Sequence, residues 1–203
     1  MTFNVNENVL IPRQDTEVLV EKALSVMKDG DKVLDMCTGS GCIAISIAKL
    51  KNVDVTAVDI SPKALEVARE NAKNLGASNV TFIESNLFEK IYEDSTSKNC
   101  NKYDIIVSNP PYIKSLDIED LMIEVKEHEP RLALDGDEDG LKFYRAITRA
   151  SLDFLKSGGY LIYEIGCDQG EDLRNIMVEN GFIDIEIIKD LAGLDRVCIG
   201  IKS

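Results

Sequence analysis

No stretch of this 203-residue chain approaches the roughly 18 to 20 uncharged apolar residues that a membrane span requires, and the opening Met1-Thr2-Phe3-Asn4 lacks the basic and apolar regions of a signal peptide. Both absences lead us to expect a soluble, cytoplasmic protein with no membrane partner. Cysteine is scarce. Its five copies, Cys37, Cys42, Cys100, Cys167 and Cys198, are odd in number, scattered and never spaced C-x-x-C, which argues against a secreted disulfide framework and against a zinc site. No metal is expected. Basic residues are outnumbered, 23 against 36 acidic, for a formal charge of −13. Such a field disfavours partners gripped through runs of phosphate contacts, so no nucleic-acid partner is expected. Histidine occurs once, as His128. A single histidine in a polar stretch is more often solvated or structural than catalytic.

What remains suits one α/β domain over residues 1–203, long enough to bury a single core. Apolar runs of strand length alternate with segments of helical period, the signature of βαβ units on a largely parallel sheet. Strands are expected at residues 32–36, 53–58, 80–83, 103–107, 160–165, 183–189 and 196–202. The last two are close enough to form an antiparallel hairpin. Asp15 is placed to cap a first helix reaching Met27, and Ser61-Pro62 to open a helix that Gly76 ends. Residues 89–101 are polar and aperiodic and read as a surface loop, and Gly158-Gly159 reads as a turn. Residues 113–139 are long and irregular, which in a compact domain marks a functional segment such as a lid.

Two places carry chemistry. The run Asp35-Met36-Cys37-Thr38-Gly39-Ser40-Gly41 follows one strand and opens the next helix, where glycines let backbone approach a ligand. Asp59 closes the following strand eighteen residues after Gly41, where a carboxylate can accept both hydroxyls of a ribose. Ser85-Asn86-Leu87-Phe88, after the third strand, lies where an adenine would sit. Together these resemble the nucleoside-binding elements of class I methyltransferases. A dinucleotide-dependent dehydrogenase would want the fuller G-x-G-x-x-G, whose last position is Ala44 here.

The second place is Asn109-Pro110-Pro111-Tyr112, closing the fourth strand. It resembles the Asn/Asp-Pro-Pro-Tyr motif of enzymes that methylate planar nitrogens, either glutamine amides or exocyclic amino groups of bases. An amide nitrogen is a poor nucleophile until acceptors hold its hydrogens. The Asn109 side-chain oxygen and the Pro110 carbonyl can be those acceptors on a loop stiffened by proline, with Tyr112 packing on the planar group. Asn109, Pro110 and Tyr112 are therefore the catalytic candidates. No strong base is needed, because transfer neutralises a sulfonium donor and the product amide can lose its proton afterwards.

With these residues stand Asn8-Val9-Leu10-Ile11-Pro12-Arg13-Gln14-Asp15-Thr16-Glu17, His128-Glu129-Pro130-Arg131-Leu132-Ala133-Leu134, Gly136, Asp139-Gly140-Leu141 and Asp190-Leu191-Ala192-Gly193-Leu194-Asp195-Arg196. On them the chain resembles the HemK/PrmC family, the N(5)-glutamine methyltransferases of peptide chain release factors. The resemblance implies a doubly wound, mostly parallel seven-stranded Rossmann-like sheet with an antiparallel last strand. It implies S-adenosylmethionine at Cys37, Thr38, Gly39, Ser40, Gly41, Asp59, Asn86, Leu87 and Asn109. It implies the glutamine of a release factor's Gly-Gly-Gln loop at Asn109, Pro110, Pro111 and Tyr112, with Arg13 and Glu129 also on the substrate side. A monomer is expected, and family members normally carry a further N-terminal helical domain. Four positions depart from the family pattern: Cys37 stands where glycine is usual, Gln14 where proline is common, Asn86 where aspartate is common and Leu87 where an aromatic residue can occur. Cys37 is tolerable provided its backbone angles are ordinary. The runner-up function is a nucleic-acid adenine methyltransferase, which would have to hold a flipped-out base and touch phosphates.

Overall fold

A computed structural model describes residues 1–94 and 102–203. Seven strands form one sheet: β1 (Lys32–Met36), β2 (Asp54–Asp59), β3 (Val80–Glu84), β4 (Tyr103–Ser108), β5 (Leu155–Glu164), β6 (Phe182–Lys189) and β7 (Asp195–Lys202), in the order β3-β2-β1-β4-β5-β7-β6. The pairings among β1 to β5 are parallel, and β7 runs antiparallel to both of its neighbours. The chain winds outward from β1 to β3, then returns to the other side of β1 to place β4. That reversal opens a crevice at the carboxyl ends of β1 and β4, where open α/β sheets bind their ligands.

The strands are apolar nearly throughout because both faces are covered. Leu34, Met36, Ile106, Leu161 and Tyr163 point to one face, with Tyr144, Ile147 and Phe154 of α6 (Lys142–Phe154) and Leu173 and Met177 of α7 (Gly170–Glu179). Val33, Val55, Ile105, Val107 and Ile162 point to the other. There they meet Leu19 and Ala23 of α1 (Thr16–Val26) and Ile43, Ile45 and Ile47 of α2 (Cys42–Leu50). Helix α3 (Pro62–Leu75) opens as its sequence directs, with the Ala64 N–H donating to Ser61 Oγ at 3.2 Å and Gly76 closing it at φ 66°. Among the described residues no helix is long and apolar enough to cross a membrane.

Several local expectations are revised. Asp15 makes no side-chain cap on α1; its carboxylate faces Arg196 at 3.3 Å, so an ion pair with a distant strand outcompetes the cap. The segment from Glu89 opens as a short helix, α4 (Glu89–Asp94), anchored by buried Phe88 and Ile91; the rest of the expected loop lies outside the described residues. Gly158-Gly159 lies within β5 as a bulge, because the register steps from Tyr103↔Leu155 to Ile105↔Tyr160. Residues 113–139 are more ordered than their composition suggests. They hold two single-turn 3-10 helices, Asp117–Asp120 and Arg131–Ala133, the helix α5 (Ile123–His128), and a bridge from Ile113 to Asp135.

Candidate active site

The crevice is a cavity of about 440 Å³, within the size range of small-molecule sites. Its floor is the turn after β1. Met36 is tied to β4 by the Ser108 hydroxyl, which donates to the Met36 carbonyl at 2.6 Å. The Thr38 N–H reaches the Val58 carbonyl at 2.9 Å, lashing the turn to β2 as well. Beneath it Asp35 is fully buried and accepts from the Thr38 hydroxyl at 2.6 Å and the Ala44 N–H at 3.2 Å. Burial pushes the Asp35 carboxyl up to about 7, and its other oxygen, Oδ1, has no hydrogen-bond partner among the described residues.

Of the residues proposed from sequence, Cys37, Thr38, Gly39, Ser40, Asp59, Asn86, Leu87, Asn109 and Pro111 line this one cavity. Gly39 has φ 55° and a Cβ built on it meets nothing within 4 Å, so its missing side chain leaves open space for a ligand. Gly41 is glycine for another reason: a Cβ there would sit 2.9 Å from Ile45 Cδ1 and 3.1 Å from Ala68 Cβ, so this glycine lets α2 and α3 pack and does not line the cavity.

Asp59 is the organiser of the turn. Its Oδ2 accepts from the Gly39 N–H at 2.8 Å and its Oδ1 from the Ser61 N–H at 2.9 Å, so the carboxylate fixes the two backbone segments between which it stands. Burial pushes this carboxyl up, and the N–H groups of Ser61, Gly39 and Ile60 pull it back. Asn86 is exposed and its amide donates to Glu89 Oε1 at 2.7 Å, while Leu87 is held at φ 47°.

The provision attached to Cys37 is not met. Its φ is 63°, in the left-handed region that favours glycine, where an L side chain costs roughly 1 to 2 kcal/mol. Cys37→Gly should therefore be more stable than Cys37→Ala, which keeps the disfavoured conformation, by about 1 kcal/mol after the extra freedom glycine gives the unfolded chain. Urea unfolding of the two variants reads the difference directly, and an alanine variant at least as stable as the glycine one would remove strain from this position.

The acceptor side is built differently. Pro110 is buried and Tyr112 half-buried, and neither side chain lines the cavity. Tyr112 instead anchors the loop from behind. Its carbonyl accepts from Gln169 Nε2 at 3.1 Å, and Gly136 and Gly140 press on its backbone so closely that a Cβ at Gly140 would lie 2.4 Å from the Tyr112 oxygen. Burial, followed by the nearby Glu164 charge, raises the Tyr112 phenol to about 12, so it is neutral near pH 7.

Arg13 and Glu129 also stand outside the cavity lining, and they pair with each other. Their ion pair clasps two strips that do line it, Asn8, Val9, Leu10 and Pro12 on one side and Pro130, Leu132 and Ala133 on the other. The first strip is latched by buried Asn71, which accepts from the Asn4 N–H at 2.8 Å and donates to the carbonyls of Asn4 at 2.9 Å and Ser40 at 3.0 Å. The lining roles of these strips and of Lys142 and Phe143 were not read from sequence. Both strips fall in segments that carry the family resemblance, Asn8 to Glu17 and His128 to Leu134, which by itself assigns them no place in the cavity wall.

Residues 27–181 match the family described as "Methyltransferase domain". With the sheet order and the crevice at its reversal, this makes the chain a class I methyltransferase domain. The whole chain is 45% identical to a release factor glutamine methyltransferase of Fusobacterium nucleatum, of which it spans 56%, and 46% identical to one of Clostridium acetobutylicum, of which it spans 71%. A methyltransferase of Pyrococcus furiosus shares the fold at a TM-score of 0.71 and 18% identity, over 99% of this chain and 88% of that one. The chain belongs to the family of release factor glutamine methyltransferases.

Proposed function

We propose that this chain, as the catalytic domain over residues 1–203, transfers a methyl group from S-adenosylmethionine to the side-chain amide nitrogen of the glutamine in a release factor's Gly-Gly-Gln loop, in the cytoplasm. The observation that carries the reading is the position of Asn109: it follows the last residue of β4 in the same cavity wall that holds the glycine turn and Asp59 on a chain of this family. The cavity suits the donor. Asp59 can take the ribose hydroxyls, Ile60 and Leu87 offer apolar surface to the adenine, and the open side of Gly39 leaves room beside the turn. When bound, S-adenosylmethionine supplies an electrophilic methyl on a sulfonium: the new N–C bond forms as the S–C bond breaks, the sulfur is left neutral, and one amide proton is lost to water.

The chain's own contribution is orientation. The Asn109 Oδ1 and the Pro110 carbonyl each accept one hydrogen of the target amide, which turns its nitrogen toward the donor, and Pro110 and Pro111 keep those acceptors from rotating away. Tyr112 holds the loop through its carbonyl, which substitution of the side chain by phenylalanine leaves in place. The rival adenine methyltransferase reading has no observation of its own in its favour, and the charge of −13 opposes it. The test is incubation of the protein with isotopically labelled S-adenosylmethionine and unmethylated release factor, followed by peptide mass mapping. Label on the glutamine of the Gly-Gly-Gln loop is expected; label elsewhere, or only on nucleic acid, overturns the assignment.

A further inference from the structure

Glu164, the last residue of β5, is only 2% exposed, and one of its carboxyl oxygens, Oε2, is buried without a hydrogen-bond partner among the described residues. Burying a carboxylate is unfavourable, and a fold that needed only volume here would be served by an apolar side chain. Nor does Glu164 serve to neutralise Arg196. That guanidinium already faces Asp190 at 3.0 Å and Asp15 at 3.3 Å.

The strand register says what Glu164 faces. Ser108 of β4 pairs with Tyr163 of parallel β5, so the next residues, Asn109 and Glu164, emerge side by side from the carboxyl ends of adjacent strands. Neighbours in parallel register point to the same face. Burial pushes the Glu164 carboxyl up, and the side chains of Thr16, Arg196 and Asn109 draw it back. Thr16 and Asn109 line the cavity, and Glu164 stands behind them.

We infer that Glu164 is the positioning residue for Asn109: its carboxylate accepts from the Asn109 Nδ2, so that the Asn109 Oδ1 is the end presented to the target amide. The inference rests on the methyl-transfer reading of the site. The two ends of a carboxamide are nearly equal in size, and a half-turn exchanges acceptor for donor. With Nδ2 toward the cavity, Asn109 would present hydrogens to the target's own hydrogens and could not aim its nitrogen. A carboxylate accepts only, so it admits one orientation of Asn109. A glutamine at 164 offers both an oxygen and an NH₂ group, and no longer chooses.

The test is Glu164→Gln, made alone and together with Asn109→Ala, in single-turnover methylation of release factor at saturating S-adenosylmethionine. Alone, the variant should melt and bind S-adenosylmethionine as wild type does, lose rate about tenfold and keep its half-saturating release factor concentration. In the Asn109→Ala background it should have no further effect, because a residue acting only through Asn109 has nothing left to orient. Equal losses in both backgrounds, or a Glu164→Gln rate within twofold of wild type beside a collapsed Asn109→Ala, overturn the role of Glu164 alone. An Asn109→Ala rate at the wild-type level overturns the orienting role of Asn109 itself, and that of Glu164 with it. Should Glu164→Gln melt early, Glu164→Asp decides: it keeps an accept-only group and should be faster per folded molecule, whereas a slower Glu164→Asp overturns the proposal.

Discussion

Asn109→Ala is expected to slow methyl transfer about 100- to 1000-fold, the scale on which loss of one preorganised polar group acts, or roughly 2.7 to 4 kcal/mol of barrier. S-adenosylmethionine affinity should change only modestly, because the glycine turn, Asp59 and Leu87 remain in place around the cavity. The structure sharpens this expectation. Asn109 is not required to close β4, since Ser108 makes the hydrogen bond to β1 and Gln169 holds the Tyr112 carbonyl beyond it. A variant that melts like wild type but fails to transfer is therefore the expected pattern. Single-turnover rates normalised to folded protein decide it: a rate within about threefold of wild type is under 1 kcal/mol and would end the proposed role of the carboxamide.

Asp59→Ala should weaken S-adenosylmethionine binding by on the order of 1.5 to 3 kcal/mol, roughly 10- to 150-fold in Kd. Two effects combine in that number. The ribose loses its acceptor, and the Gly39 and Ser61 N–H groups lose the carboxylate that holds them in place. Asp59→Asn separates them, because one side-chain oxygen survives to accept while the other is replaced by a donor. Calorimetric titration should rank wild type above Asp59→Asn and both above Asp59→Ala. In wild type the affinity should also fall as pH drops through the Asp59 pKa, which burial raises: protonation removes an acceptor from a carboxylate whose ionised form is the binding one. A folded Asp59→Ala with unchanged affinity would take Asp59 out of the site.

The strands and the two site motifs were legible because each signal is local and confirmed by its neighbours. An apolar run, a glycine turn and a helical period in succession leave few other arrangements, and ligand-facing residues of such sheets fall at strand ends. What escaped has its cause in partners far along the chain. Nothing near Asp15 announces that Arg196 will take its carboxylate. Asn4 and Asn71 read as ordinary polar residues until the fold joins them, so the latch on the strip from Asn8 to Pro12 is not legible although the strip itself carries the family resemblance. The cysteine at 37 does not itself report the backbone angle a strand-to-helix turn imposes, and the only hint of its positive φ is the glycine usual there in the family that the chain resembles. Glu164 after Ile162-Tyr163 reads as a polar residue ending a strand, and only the register with β4 puts it against Asn109.

Cys37 at φ 63° and Leu87 at φ 47° bear on how a ligand is received. Two non-glycine residues in a sparsely populated conformation persist only where their surroundings over-determine them. Both lie in the cavity wall, so the ordering of that wall is settled when the chain folds and is not repeated at each encounter. Association then carries little conformational entropy loss from the protein. Its heat-capacity change reports the apolar area covered by the ligand, without the larger signature of a segment that folds as it binds.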